Sequence, residues 1–320
     1  VKFHAIMIIR DEADVIGECL THLLTWCDSL SVYDTGSTDG TWEIVRDAAS
    51  KDRRINPVAS EPVIAEGDTR GYLFSRVRDR FKPGDWIARV DADEFYHVSP
   101  REWIAANVAP HEARVFAQMY EFVLTKADYA AYEAGLPCPP NDINRPVQER
   151  VTRYIIQSDV EPRFFRFRGG MRWAPGQPGP WNPGLPAVKR IPVRHYRWRS
   201  FEQLRRRCAL RRAMAEISYH GSHWVIPWRD WLVDDADPWL REWRPGEVLP
   251  EWHDTNHQPT GRRGLAQRAL YWSGAVAVLD LLRPGWPRGR RPRALPEGFD
   301  EVLRAQQDPP PSTRKNASMS

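Results

Sequence analysis

Apolar positions in the first third of the chain come in short continuous runs broken by polar clusters. Phe3–Ile9 is apolar apart from His4, and Leu30–Tyr33, Ile55–Val58 and Trp86–Val90 repeat the pattern at shorter length. Such runs predict strands buried on both faces, as in a parallel sheet. Between the first two runs, Val15, Ile16, Cys19, Leu20, Leu23, Leu24 and Cys27 recur near a 3.6-residue period, which predicts a helix with both cysteines on its core face. Further helices are expected from Trp42 and over Thr69–Phe81. Strand–helix alternation with little spare length predicts an α/β fold, a mostly parallel sheet with helices on both faces.

The polar clusters fall where these strands end: Arg10–Glu12, Asp34–Asp39 and Asp91–Glu94. In open α/β sheets ligands bind beyond the carboxyl ends of the strands, so three polar clusters there predict one binding cleft. The last cluster carries most chemistry. Asp91 and Asp93 stand at i, i+2 on an extended segment and point the same way, so both can reach one hard cation such as Mg²⁺ or Mn²⁺. The bland alternative for a bare Asp-x-Asp is a solvated acidic turn.

The second half is less regular. Ser99-Pro100-Arg101-Glu102 has a capping-box layout before a helix to Asn107. Strands are expected over Arg114–Leu124, Thr152–Ile156, Arg163–Arg168 and Ile191–Tyr196, with an irregular, Pro-rich insertion over 126–150. Gly169–Pro186, with five Gly and five Pro, reads as a functional loop. A helix follows Ser200 with an arginine face at Arg205, Arg206, Arg207, Arg211 and Arg212, and another is expected over Gly264–Leu282. The division is 1–110 and 111–215 for two halves of one domain, 216–304 for a helical and irregular extension and 305–320 for a disordered tail.

Charge changes this picture more than composition does. Residues 1–100 carry 12 basic and 18 acidic side chains, the remainder 34 and 24. An acidic part able to hold a cation precedes a basic part able to meet phosphates or an anionic lipid surface. The 15 Trp, many beside Arg or Pro in the second half, either stack on sugar faces or fill a loop-rich core. The four cysteines show no CxxC spacing and read as reduced thiols of a cytoplasmic protein. The first residues enter a strand at once, without a signal-peptide layout, and no apolar run approaches the roughly 18 residues of a membrane span.

Ile8-Ile9-Arg10-Asp11-Glu12-Ala13, Val32 through Thr41 and Trp86 through Glu94 together resemble the successive motifs of family 2 glycosyltransferases. The resemblance covers residues 3–100 and extends loosely to 212 through Pro162–Arg166 and His195–Ser200. It implies a GT-A fold and a metal-dependent transfer from a nucleotide-diphosphate sugar of the UDP, GDP or dTDP type. Arg10, Glu12, Asp34, Asp91 and Ala92 would then contact the nucleotide-sugar, Glu12 and Asp34 at the base and ribose. Arg70 or Arg76 would lie near the diphosphate. Asp91, Asp93 and His195 would hold Mn²⁺ or Mg²⁺, with His195 as metal or diphosphate contact.

The sequence departs from the family at the catalytic base. An inverting member needs a carboxylate near the sugar to take the acceptor's proton. Trp173–Trp181, where related sequences often carry His-Glu, has none, which leaves Glu161, Asp159 and Glu94 as candidates. The expected function is therefore glycosyl transfer with inversion to a small-molecule or lipid-linked acceptor, with peripheral contact to an anionic membrane face. A catalytically decayed scaffold that binds nucleotide or carbohydrate is the alternative. No nucleic-acid recognition motif accompanies the arginines, so no nucleic-acid partner is expected.

Overall fold

The computed structural model describes residues 1–65, 67–173, 179–181, 184–217, 225–251, 255–282 and 291–307. The first part alternates as expected: β1 (Phe3–Ile9), α1 (Ile16–Leu24), β2 (Ser29–Asp34), α2 (Thr41–Lys51), β3 (Ile55–Ser60), α3 (Gly67–Val77) and β4 (Trp86–Val90). β4 is buried at every residue, which is why its sequence shows no polar alternation. Then come β5 (Glu94–Tyr96), α4 (Pro100–Asn107), β6 (Glu112–Phe122), α5 (Lys126–Glu133), α6 (Val147–Arg150), β7 (Arg153–Arg166), β8 (Leu185–Pro186), β9 (Ile191–His195) and α7 (Phe201–Ile217). The chain closes with β10 (Arg241–Glu242), α8 (Gly261–Trp272), α9 (Ala275–Leu282) and α10 (Phe299–Gln307).

The sheet runs β3-β2-β1-β4-β7-β6-β9-β5, with β10 on β7 and β8 on β6. β1 is parallel to β2 and β4, and β2 to β3. β7 runs against both β4 and β6, and β9 is parallel to β6. β1, β2, β3, β4, β6 and β9 therefore all point one way, and their carboxyl ends share one edge. One face packs against α1, α2 and α4 through Leu20, Val45 and Ile104; the other packs Leu73 and Phe74 of α3 against Phe165, Phe167 and Trp173. The α/β class with helices on both faces holds. Among the described residues no helix is long and apolar enough to cross a membrane.

Three elements depart from the sequence reading. Residues 126–150 are not wholly irregular: α5 starts at a capping box in which Thr125 and Asp128 satisfy each other's backbone N–H groups. Only Tyr129 of this helix is buried, so it has no apolar period to detect. The two short strands at 152–156 and 163–168 are one 14-residue strand, β7. Its polar middle is held by β6, and the register slips at Val115/Phe116 and Gln118/Tyr120. The helix expected over Gly264–Leu282 is broken at Gly274, whose φ of 72° ends α8 and turns the chain into α9. Residues 305–307 form the last turn of α10, and residues beyond 307 lie outside the described ones.

The tryptophans divide. Trp26, Trp86, Trp173, Trp198 and Trp243 are core residues, whereas Trp239 and Trp272 are exposed. All four cysteines are free thiols, three of them buried.

Candidate active site

The loops after β1 and β2 brace each other at the carboxyl edge of the sheet. Asp11, the described non-glycine residue with positive φ (53°), accepts the Thr38 N–H at 2.8 Å and donates its own N–H to the Ser37 hydroxyl. The Glu12 N–H donates to the Thr41 hydroxyl at 2.7 Å. Asp34, fully buried, accepts from the N–H groups of Gly36 and Ser37 and from the Ser60 hydroxyl at 2.6 Å. Its carboxylate thus ties the ends of β2 and β3 together. Gly36 sits at φ 97° with Pro62 so close that a Cβ would lie 2.9 Å from its Cα. Only glycine serves there. Asp39 accepts the N–H groups of Ala13 and Thr41, as a turn residue does.

Behind these loops lies a buried ionic cluster. Asp91 pairs with Arg70 of α3 and, at 3.4 Å, with Arg163 of β7. Of the two α3 arginines, Arg70 reaches the cluster, whereas Arg76 lies over the Tyr72 ring. Arg163 also pairs with Glu94 and, at 3.2 Å, with Glu161; Glu161 pairs in addition with Arg89. Ala92 is buried between the two aspartates. Glu94 is fully buried, and burial pushes its carboxyl up to about 7 against the pull of Arg163. Burial also acts upward on Glu161, but Arg163 and Arg89 outweigh it and hold the carboxyl below its ordinary range. Asp159 stands in β7, and its side chain is outside what the structure describes.

Asp93 gathers residues far apart in sequence. Its Oδ2 accepts from Arg207 of α7 at 3.0 Å, and its Oδ1 faces His195 Nε2 at 3.6 Å. His195 Nδ1 bonds Glu121 of β6 at 2.7 Å, and Arg197 pairs with the other Glu121 oxygen at 3.2 Å. Burial lowers the His195 pKa, but Glu121 and Asp93 override it and raise the imidazole to about 10. Glu12 accepts from Arg199 at 2.5 Å and faces Arg207 at 3.4 Å, and Arg199 also holds Asp14 at 2.8 Å. Arg10 donates to the Thr35 carbonyl at 2.9 Å, and its guanidinium lies 5.7 Å from the Phe299 ring centre.

The sequence pointed to the carboxylates and to His195, and the structure brings them to one edge. It did not point to Glu121 or to Arg207 facing inward, and it placed Arg163 and Arg199 in motifs without giving either a role. The same rule that a buried carboxylate needs a partner calls for these cations, but only the fold says which of 46 basic residues supply them.

Asp93 and His195 are the residues that would hold a divalent ion at this edge. Mg²⁺ is usually held by one or two carboxylates together with substrate phosphates. Asp93 Oδ1 and His195 Nε2 lie 3.6 Å apart, as a charged imidazole and a carboxylate do, and among the described residues no group of three His, Cys, Asp or Glu is placed to hold a metal ion. His195 has its second nitrogen on a carboxylate, the usual orientation device of a metal-binding imidazole. Asp91, also expected at the ion, pairs with Arg70 and Arg163.

The acidic, arginine-braced cluster lies at the carboxyl ends of the strands, where α/β sheets bind their ligands. Residues 5–113 match the model of glycosyl transferase family 2. A TPR repeat-containing protein of Synechococcus elongatus is 30% identical over 118 residues, which make up 36% of this chain and 26% of that protein. A mannosyltransferase from Pyrobaculum calidifontis, solved with GDP-Man and Mn²⁺, superposes with a TM-score of 0.38 at 13% identity, over 68% of this chain and 64% of that one. Mannosyl-3-phosphoglycerate synthase from Rubrobacter xylanophilus gives a TM-score of 0.29 at 14% identity, over 90% and 79% of the two chains.

Proposed function

We propose that this chain transfers a glycosyl group from a nucleotide-diphosphate sugar to a small-molecule or lipid-linked acceptor, with inversion and with Mn²⁺ or Mg²⁺. The observation that supports this best is the Asp93–His195 pair, backed by Glu121, at the carboxyl edge of a family 2 domain. The ion, when bound, supplies Lewis-acid stabilisation of the departing diphosphate. Arg70 and Arg207, each with 27% of its side chain exposed, present guanidinium groups to phosphate oxygens at the rim. Asp34 and Asp11 set the loops against which base and ribose rest.

Glu161 is the best-placed base. Its side chain is 48% exposed and so open to an acceptor, whereas Glu94 is enclosed and pairs with Arg163. The test is a thermal-shift screen of wild type and Asp93→Ala against UDP, GDP, dTDP and their sugars, with Mn²⁺ or Mg²⁺. A metal-dependent rise for one nucleotide, lost in the variant, is the expected result. No rise with any nucleotide overturns the proposal.

A second reading, a nucleotide-binding scaffold without turnover, draws on the engagement of Glu161 by both Arg89 and Arg163. Nucleotide binding without release of nucleoside diphosphate from the cognate sugar, in the presence of candidate acceptors, favours it.

A further inference from the structure

The α8–α9 hairpin leaves an apolar surface uncovered. Tyr271 and Val276 seat it: the Tyr271 ring lies so near Gly184 that a Cβ there would meet it at 3.1 Å, and Val276 is buried. Trp272 touches His111 edge-on at 5.7 Å between ring centres, yet stays 68% exposed. Leu265 is 66% exposed, and Leu270, Val278 and Leu279 are exposed as well. Beside the hairpin an open pocket of about 660 Å³ is lined by Tyr271 and Gly274 together with Pro110, Ala113 and Phe167. Five large apolar side chains left exposed on two consecutive helices are the kind of surface that marks an interaction site.

Charge indicates the partner. From Gly261 to Arg290 the chain has six arginines and a single acidic residue, Asp280. Arg262 and Arg263 are exposed at the start of α8. Leucine, valine and tryptophan flanked by arginine suit the boundary of an anionic bilayer, where apolar groups enter the acyl region and guanidinium groups stay with the phosphates. A nucleic acid would take the arginines and leave the apolar side chains in water.

Position fits too. The cavity-lining residues 83–84, 110–113 and 166–170 lie at the amino ends of β4 and β6 and the carboxyl end of β7. That is the sheet edge opposite Asp93, so a docked hairpin leaves the cleft open.

We propose that the α8–α9 hairpin docks this protein on anionic lipid bilayers through Leu265, Trp272, Val278 and Leu279, with Arg262 and Arg263 on lipid phosphates. This holds whether or not the cleft transfers sugar. The test is co-sedimentation of the full chain with phosphatidylcholine vesicles and with vesicles that also contain phosphatidylglycerol. Wild type should bind the mixed vesicles at least about tenfold more tightly, and Arg262→Glu with Arg263→Glu should remove that preference. Leu265→Glu with Val278→Glu should abolish binding to both vesicle types while the circular-dichroism melting curve stays that of wild type. Equal sedimentation of wild type and the Leu265/Val278 variant overturns the proposal. So does a wild-type dimer, seen by analytical ultracentrifugation, that this variant converts to monomer, because the patch is then an interface between two copies.

Discussion

Arg199 and Glu12 meet at 2.5 Å across 187 residues of sequence, joining the loop before α7 to the end of β1. The Arg199 side chain is completely buried and also holds Asp14. Burial pushes the Asp14 carboxyl up, but Arg199 and Arg150 outweigh it and keep it at about 2. A buried ion pair adds little over an apolar pair, yet removing one partner strands the other charge. Arg199→Met should therefore lower the unfolding free energy by roughly 3–5 kcal/mol, read from urea denaturation. A loss below about 1 kcal/mol, the range of an exposed pair, would show that water reaches Glu12 and Asp14.

Glu121 acts on the site through His195. Glu121→Gln keeps the size and a hydrogen-bonding oxygen but removes the charge that orients the imidazole. Outer-shell changes of this kind cost about 10- to 100-fold in metal affinity. Calorimetry should show that loss for Mn²⁺ in the presence of nucleotide, while metal-free nucleotide binding stays as in wild type. Equal losses with and without metal would assign Glu121 to the fold alone.

Strands β1, β2 and β4 are legible in the sequence because burial on both faces keeps them mostly apolar, with His4, Ser31 and Arg89 as buried exceptions. The carboxylates were legible for the converse reason: Asp91, Asp93 and Glu94 directly follow a strand that packing had explained. Arg207 was not, since its neighbours Arg205 and Arg206 make a helix face that reads as solvated. Its inward direction depends on α7 crossing the strand ends, a tertiary fact without a local signal. β7 was misread as two strands because Gln157–Glu161 is polar, and only pairing with β6 makes it extended.

Phe299 extends the candidate donor site to the end of the described chain. The segment before α10 bridges Val63 to Ala294, donates the Leu295 N–H to the Pro62 carbonyl and pairs Arg291 with Glu61. Phe299, itself buried, then lies under Arg10. Phe299→Leu keeps an apolar anchor for α10 and removes only the ring. The lost cation–π contact, about 0.5–1 kcal/mol, should weaken nucleotide binding two- to fivefold by calorimetry. Unchanged affinity would place Arg10 outside the nucleotide contacts.

His22 gives the fold a pH limit. Its Nε2 accepts the Tyr96 N–H at 2.9 Å, which joins α1 to β5 and requires a neutral ring. Burial, aided by the nearby Arg194 charge, lowers its pKa to about 4, against the ordinary 6.5 of an unfolded chain. Between those values the unfolded chain binds a proton that the folded one does not. The contribution is thus complete above pH 6.5 and is lost progressively as pH falls toward 4. The loss should reach roughly 2–3 kcal/mol, and Gln at this position, which accepts the same N–H without titrating, should escape it. Urea midpoints from pH 7 to pH 4.5 for wild type and His22→Gln measure the difference directly. Parallel curves would mean that other groups carry the acid sensitivity and that His22 protonates without leaving Tyr96.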